Sequence, residues 1–310
     1  MGEELRRTRR KSVLKAAACT AGVLMASACS QPAENAEHRP ANRDVTKRFD
    51  EKDPATWSLP VEAYLPTDDE DKQLSRAREA LVSACMKDFG FDWKAAPDLP
   101  ELGPKTLTDW RYGIHDLALT KKRGYKPDAA EQVAYDAAVQ EGAVDEDESP
   151  AEATVLNGDV KKYDGKKVPQ GGCSGRADRT LSGGKGSFYS DFAEDLGNEA
   201  FVRSMKEPKV VAVFGQWSAC MKKHGYSYKA PLDASDDPRF SAPEVTPEEI
   251  ATATADIGCR KRYHVAKTWY ETEVRLQNKA IEKNEERLSD AKDRLDIAVK
   301  RAAKTLAEKG

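Results

Sequence analysis

The chain has 310 residues, long enough for one or two domains with a sizeable core, and carries 50 Lys and Arg against 53 Asp and Glu. Charged residues reach 33% and aromatics only 7%, so the core must rest on Ala, Leu, Val and a few rings. That balance favours helices over a β-rich domain.

The first 28 residues read as an export signal, set apart from the fold. Arg6, Arg7, Arg9, Arg10, Lys11 and Lys15 form a basic start. Ala16 to Ala28 follows as an apolar run broken only by Thr20, Gly22 and Ser27. A helix that short does not span a bilayer, which takes about 20 residues. Thr8 through Lys15 resembles a twin-arginine signal, and the general secretory route fits as well. Leu24-Met25-Ala26-Ser27-Ala28-Cys29 resembles a bacterial lipobox. In that expectation Cys29 becomes the first mature residue, acylated and held in the lipid bilayer by its acyl chains. Ala26-Ser27-Ala28 also fits an ordinary secretory cleavage site, and lipidation is the favoured alternative. Loss of residues 1–28 removes six basic and two acidic side chains, taking the net charge from −3 to −7. An acidic, exported chain argues against nucleic acid as a partner.

Residues 29–66 are polar and lack an apolar period, which predicts a flexible tether. Trp57, Leu59, Val61 and Leu65 are placed to dock its far end. A first helical unit with an insertion is expected over 67–187, and a second unit with a long C-terminal helix over 188–310.

Thr67-Asp68-Asp69-Glu70 is a capping-box pattern, and Leu74, Ala77, Leu81, Ala84 and Cys85 then share one helical face. Shorter helices are expected after Asp116, over about 127–141, and from the capping box at Ser149. Val160 to Val168, around Asp164-Gly165, reads as a small hairpin. A helix from Ser190 to Met205 precedes Pro208, which suits the first turn of another. Thr246-Pro247-Glu248-Glu249 opens the final segment, predicted as a single helix of roughly 60 residues with a possible break at Gly258. Glu271–Arg275, Asp290–Arg294 and Asp296–Lys300 are spaced as i,i+4 ion pairs. Ile281, Leu288, Leu295 and Ala302 repeat every seven residues, a thin coiled-coil seam that would pack back on the domain, on another copy or on a partner.

One stretch occurs twice. Ser83-Ala84-Cys85-Met86-Lys87 leads to Gly90, Phe91 and Trp93, and Ser218-Ala219-Cys220-Met221-Lys222 leads to Gly225, Tyr226 and Tyr228. The spacing predicts two helices closed by Schellman stops, with Met86 and Met221 contacting Phe91 and Tyr226. Lys87 and Lys222 then sit in the last turn, where the helix dipole favours a cation. In an exported protein Cys85, Cys173, Cys220 and Cys259 are expected to form disulfides. The duplication pairs one of each kind within each half, Cys85 with Cys173 and Cys220 with Cys259. Zinc on Cys220, His224, Cys259 and His264 is the weaker alternative, because the first half has Phe89 where the second has His224.

No zinc-protease helix, serine elbow, phosphate loop or dinucleotide fingerprint occurs, so no catalytic residue, cofactor or metal is expected. Trp217, Tyr226, Tyr228 and Trp269 are candidates for a ligand groove, with core packing the more common use of such rings. The export signal, the paired Cys-Met-Lys-x-x-Gly-aromatic motifs, the Gly171-Gly172-Cys173 segment and the Thr-Pro-Glu-Glu-Ile helix start together resemble a family of actinobacterial lipoproteins. The resemblance covers most of the mature chain and implies an exported, cysteine-bridged helical domain. The expected fold is mainly α: two related disulfide-stapled helical units followed by a long charged C-terminal helix. The expected role is that of a membrane-anchored surface lipoprotein binding or scaffolding an envelope protein or cell-wall partner. A ligand-binding lipoprotein for uptake or sensing is the alternative, and an envelope enzyme without a known motif a third.

Overall fold

The computed structural model describes residues 49–143 and 149–309, so Cys29 and the export signal lie outside the described residues. Two short 3-10 turns, Pro54–Thr56 and Pro60–Tyr64, come first. The helices follow in chain order: α1 Asp68–Asp88, α2 Leu117–Arg123, α3 Ala129–Gln140 and α4 Pro150–Asn157. A two-stranded hairpin, β1 Lys162–Tyr163 and β2 Lys166–Lys167, turns at Asp164-Gly165 as expected. Then come α5 Gly172–Ser182, α6 Asp191–Ser204, α7 Pro208–Lys223, α8 Pro231–Ser235, α9 Pro247–Arg262, α10 Val265–Lys283 and α11 Glu285–Lys309. No helix among the described residues is long and apolar enough to cross a membrane.

The mainly helical fold, its two disulfide-stapled units and its long charged last helix agree with the sequence. Thr67 and Ser149 each close a capping box with Glu70 and Glu152. Both Schellman stops are present. The Phe91 and Tyr226 amides donate to the carbonyls of Met86 (3.1 Å) and Met221 (3.0 Å), and Gly90 and Gly225 take the left-handed φ of 89° and 91°. Cys85 bonds to Cys173 and Cys220 to Cys259. The two partner cysteines are not equivalent in space: Cys173 lies in the first turn of α5, Cys259 in the last turn of α9.

The far end of the expected tether docks on the fold as expected: Trp57, Leu59 and Val61 are buried and Leu65 packs against the same cluster, so folded structure is in place well before Thr67. Two expectations are corrected. The single C-terminal helix is instead three helices, broken at Tyr263-His264 and at Asn284, while Gly258 lies inside α9. A straight rod of roughly 90 Å could not do what the three pieces do. α9 packs on α2 and α7, α10 on α6 and α7, and α11 on α1 and α5. The predicted Glu271–Arg275 pair also gives way to others: Arg275 bonds Glu207 and Glu271 meets Lys267.

The heptad seam packs back on the domain. Leu295, Ala298 and Ala302 join Leu74, Ala77 and Leu181, and Leu288 meets Val61 and Leu196. Residues 106–126, inside the expected insertion, cross to the second half through buried ion pairs. The Arg111 guanidinium holds Glu273 at 2.8 Å, and Lys126 reaches Glu249 at 3.2 Å. Buried charge survives only when paired and fully hydrogen-bonded, and no buried side-chain polar atom among the described residues lacks a partner.

Candidate functional site

Three stretches distant in sequence, the last spanning two helices, converge on one open cleft of about 440 Å³, within the size range of small-molecule sites. They are the strap at 51–57, the loop at 113–115, and the end of α9 with the start of α10. A second hollow, between the strap, Leu107 and Lys292, is smaller, at about 210 Å³.

The loop is fixed from below by Arg260. Its guanidinium donates to Asp256 at 2.6 Å, to the Tyr112 carbonyl at 2.5 Å and to the Pro231 carbonyl at 2.8 Å. Gly113 passes directly over it with φ of 95°, and a β-carbon there would stand 2.1 Å from Arg260 Nη1. Only glycine fits. Three non-glycine residues among those described have positive φ, and one of them, His264 at 51°, lines this site. Such conformations cost energy and need surrounding structure to hold them.

The strap is held by charge. His115 Nε2 lies 2.7 Å from Asp109, and its Nδ1 lies 3.5 Å from Asp53. Burial pushes the Asp109 carboxyl up, but the hydrogen bonds from His115 and the Lys105 amide outweigh it and hold it below the usual range. Glu51 pairs with Lys267 at the start of α10. The hydrogen bond and charge of Lys267 hold Glu51 low, and the same bond holds the Lys267 ammonium up. Trp57 donates from Nε1 to the Asp50 carbonyl at 2.8 Å, and its ring lies 4.6 Å from that of Tyr270.

The cleft is lined by side chains of two chemical kinds. Pro54, Trp57, Ile114, Ile257 and Ala266 give it an apolar wall. Lys52, Lys261 and His264 stand at its rim and make no ion pair or side-chain hydrogen bond with any described residue. No side chain caps the N-terminus of α10, whose second and third residues, Ala266 and Lys267, also line the cleft.

The residues singled out by sequence lie elsewhere. Trp217 and Trp269 are fully buried, donating from Nε1 to Asp256 (2.8 Å) and to Ser204 Oγ (2.6 Å). Tyr226 and Tyr228 are half-buried against the same core, and Tyr228 donates to Asp237 at 2.7 Å. None of the four lines either hollow. Cys220, His224 and Cys259 bring three ligand atoms within 4.8 Å of one another, but the disulfide uses both thiolates that zinc would need. The fourth candidate ligand, His264, lies in the cleft instead. Nothing local marks the cleft in the sequence; its nearest signal is the pair of lysines and the histidine clustered at Lys261, His264 and Lys267. Comparison with protein-family models, with curated proteins and with solved structures finds no match to this chain.

Proposed function

We propose that the chain is an exported, lipid-anchored protein whose folded part binds a small ligand in this cleft. The observation that carries the reading is the cleft itself, where apolar side chains stand beside the unpaired ammonium groups of Lys52 and Lys261 and the imidazole of His264. The covered seam of α11 weighs against the other expectation, a scaffold acting through its last helix, because Leu288, Leu295 and Ala302 have no surface left to offer. Catalysis is supported less well than binding. A general base must be both positioned and unengaged. His115 is positioned but has both ring nitrogens on carboxylates, and His264 is unengaged but held by no side chain.

Two experiments test the reading. Cys29→Ala should move the protein from the membrane fraction to the medium, and its retention would remove the anchor. Native mass spectrometry of the protein taken from its own membrane should show a small-molecule adduct, lost in Ala266→Trp, where the indole obstructs the cleft. Equal adducts on both forms would place binding elsewhere.

A further inference from the structure

The charges lining the cleft do not cancel. Arg260 is neutralised by Asp256 and Lys267 by Glu51, leaving the ammonium groups of Lys52 and Lys261 at the rim without an ion pair, with the His264 imidazole beside them. This is a local positive excess on a chain of net charge −3. The start of α10 adds to it. The first amides of a helix have no intrahelical acceptor, and the macrodipole places partial positive charge there. An anion is the complementary ligand. The apolar lining sets a second requirement. Pro54, Trp57, Ile114, Ile257 and Ala266 also line the cleft, and an inorganic ion would leave their open surface uncovered. A hydrocarbon would cover it, gaining about fourfold in affinity for each methylene removed from water.

Resting on the reading of the cleft as a binding site, we infer that its ligand is an anionic amphiphile. The carboxylate or phosphate head sits on Lys52, Lys261 and His264, and the hydrocarbon chain lies along Trp57, Ile114 and Ile257. Two sources share this chemistry: a free single-chain acid, and a phosphate-headed lipid within the bilayer. An anchored Cys29 precedes Phe49 by 20 residues, at most roughly 70 Å of extended chain. The mouth of the cleft, at Glu51 and Lys52, therefore lies within reach of either.

The test is calorimetric titration of the mature chain carrying Cys29→Ser, so that no acyl group competes. Dodecanoate and dodecyl phosphate should bind at least tenfold more tightly than dodecyl maltoside or dodecyltrimethylammonium. Acetate and inorganic phosphate should not bind, and decanoate should bind more weakly than dodecanoate by about fourfold per methylene lost. Lys261→Glu, at an exposed site, should weaken dodecanoate at least tenfold, and Ala266→Trp should abolish it, both variants keeping wild-type helicity and melting. Phosphatidylcholine vesicles containing phosphatidic acid should displace dodecanoate if the bilayer is a source. Displacement by free dodecyl phosphate alone would make the source soluble, and either result supports the inference. Equal binding of the neutral probe, no effect of Lys261→Glu, or equal displacement by pure phosphatidylcholine would overturn the anionic ligand while leaving a binding cleft. Undiminished dodecanoate binding by a folded Ala266→Trp would overturn both.

Discussion

Glu273, without solvent exposure on α10, accepts the phenol of Tyr112 at 2.8 Å while holding the Arg111 guanidinium at the same distance. Gln277 donates to it at 2.9 Å and accepts the Val61 amide at 3.1 Å, so one carboxylate ties the Pro60–Tyr64 turn, which follows the strap, and the 106–116 loop to α10. Removing one partner of a buried pair costs about 3–5 kcal/mol, because the other charge is left uncompensated. Glu273→Ala should lose that much in urea denaturation and weaken ligand binding, since both walls of the cleft loosen. Glu273→Leu should do no better, because Arg111 remains.

The cleft loop gives a second prediction. Gly113→Ala places a methyl into the Arg260 guanidinium and forces a left-handed conformation that itself costs about 1–2 kcal/mol. The variant should lose more than that amount in denaturation. Gly142→Ala, also at positive φ but with open space around it, should lose only the conformational part.

The staples should differ by loop length. On the chain-entropy model, opening Cys220–Cys259, which closes 39 residues, costs about 4 kcal/mol, and opening Cys85–Cys173, which closes 88, slightly more. Paired serine substitutions at each bridge, compared by denaturation under oxidising conditions, measure this. Intact mass without reductant should show no free thiol among these four cysteines.

Alkaline pH tests the buried phenols. Burial, with Glu273 and Asp256 beside them, raises Tyr112 and Tyr125 far above the ordinary value of 10.0, and burial with the Asp237 hydrogen bond pushes Tyr228 up to about 12. The fold favours the neutral phenol, so this stability is fully present below pH 10.0 and is lost as pH rises through the folded values. Phenolate absorbance should show Tyr112 and Tyr125 ionising only with global unfolding. A titration complete near pH 10.0 with the fold intact would contradict their burial.

Helix ends were readable because they are local. Thr67, Asp116, Ser149, Ser190 and Thr246 each accept from amides two or three residues on, and the two Gly-aromatic stops close within six residues. The breaks at His264 and Asn284 were not readable, because they follow from where α9, α10 and α11 must pack. Glu249 shows the same limit. It occupies the third helical position, where a glutamate reaches back to the cap, but its carboxylate instead accepts the Tyr125 amide at 3.0 Å and Lys126 at 3.2 Å. Trp217 and Trp269 carried the period of a buried face, and burial is where they went. The cleft takes its residues from three distant stretches with no shared spacing, and long-range contacts such as those of Arg260 with the Tyr112 and Pro231 carbonyls bring the loop to its place.

The most direct measurement is photo-crosslinking in intact cells with a diazirine-bearing dodecanoate, followed by peptide mapping of the mature protein. Binding in the cleft predicts label on the strap at Pro54 or Trp57, on Ile114, or on Ile257 and Ala266, displaced by excess dodecanoate. Label confined to exposed apolar side chains such as Val133, Val202 and Val211, undiminished by competitor, would contradict it.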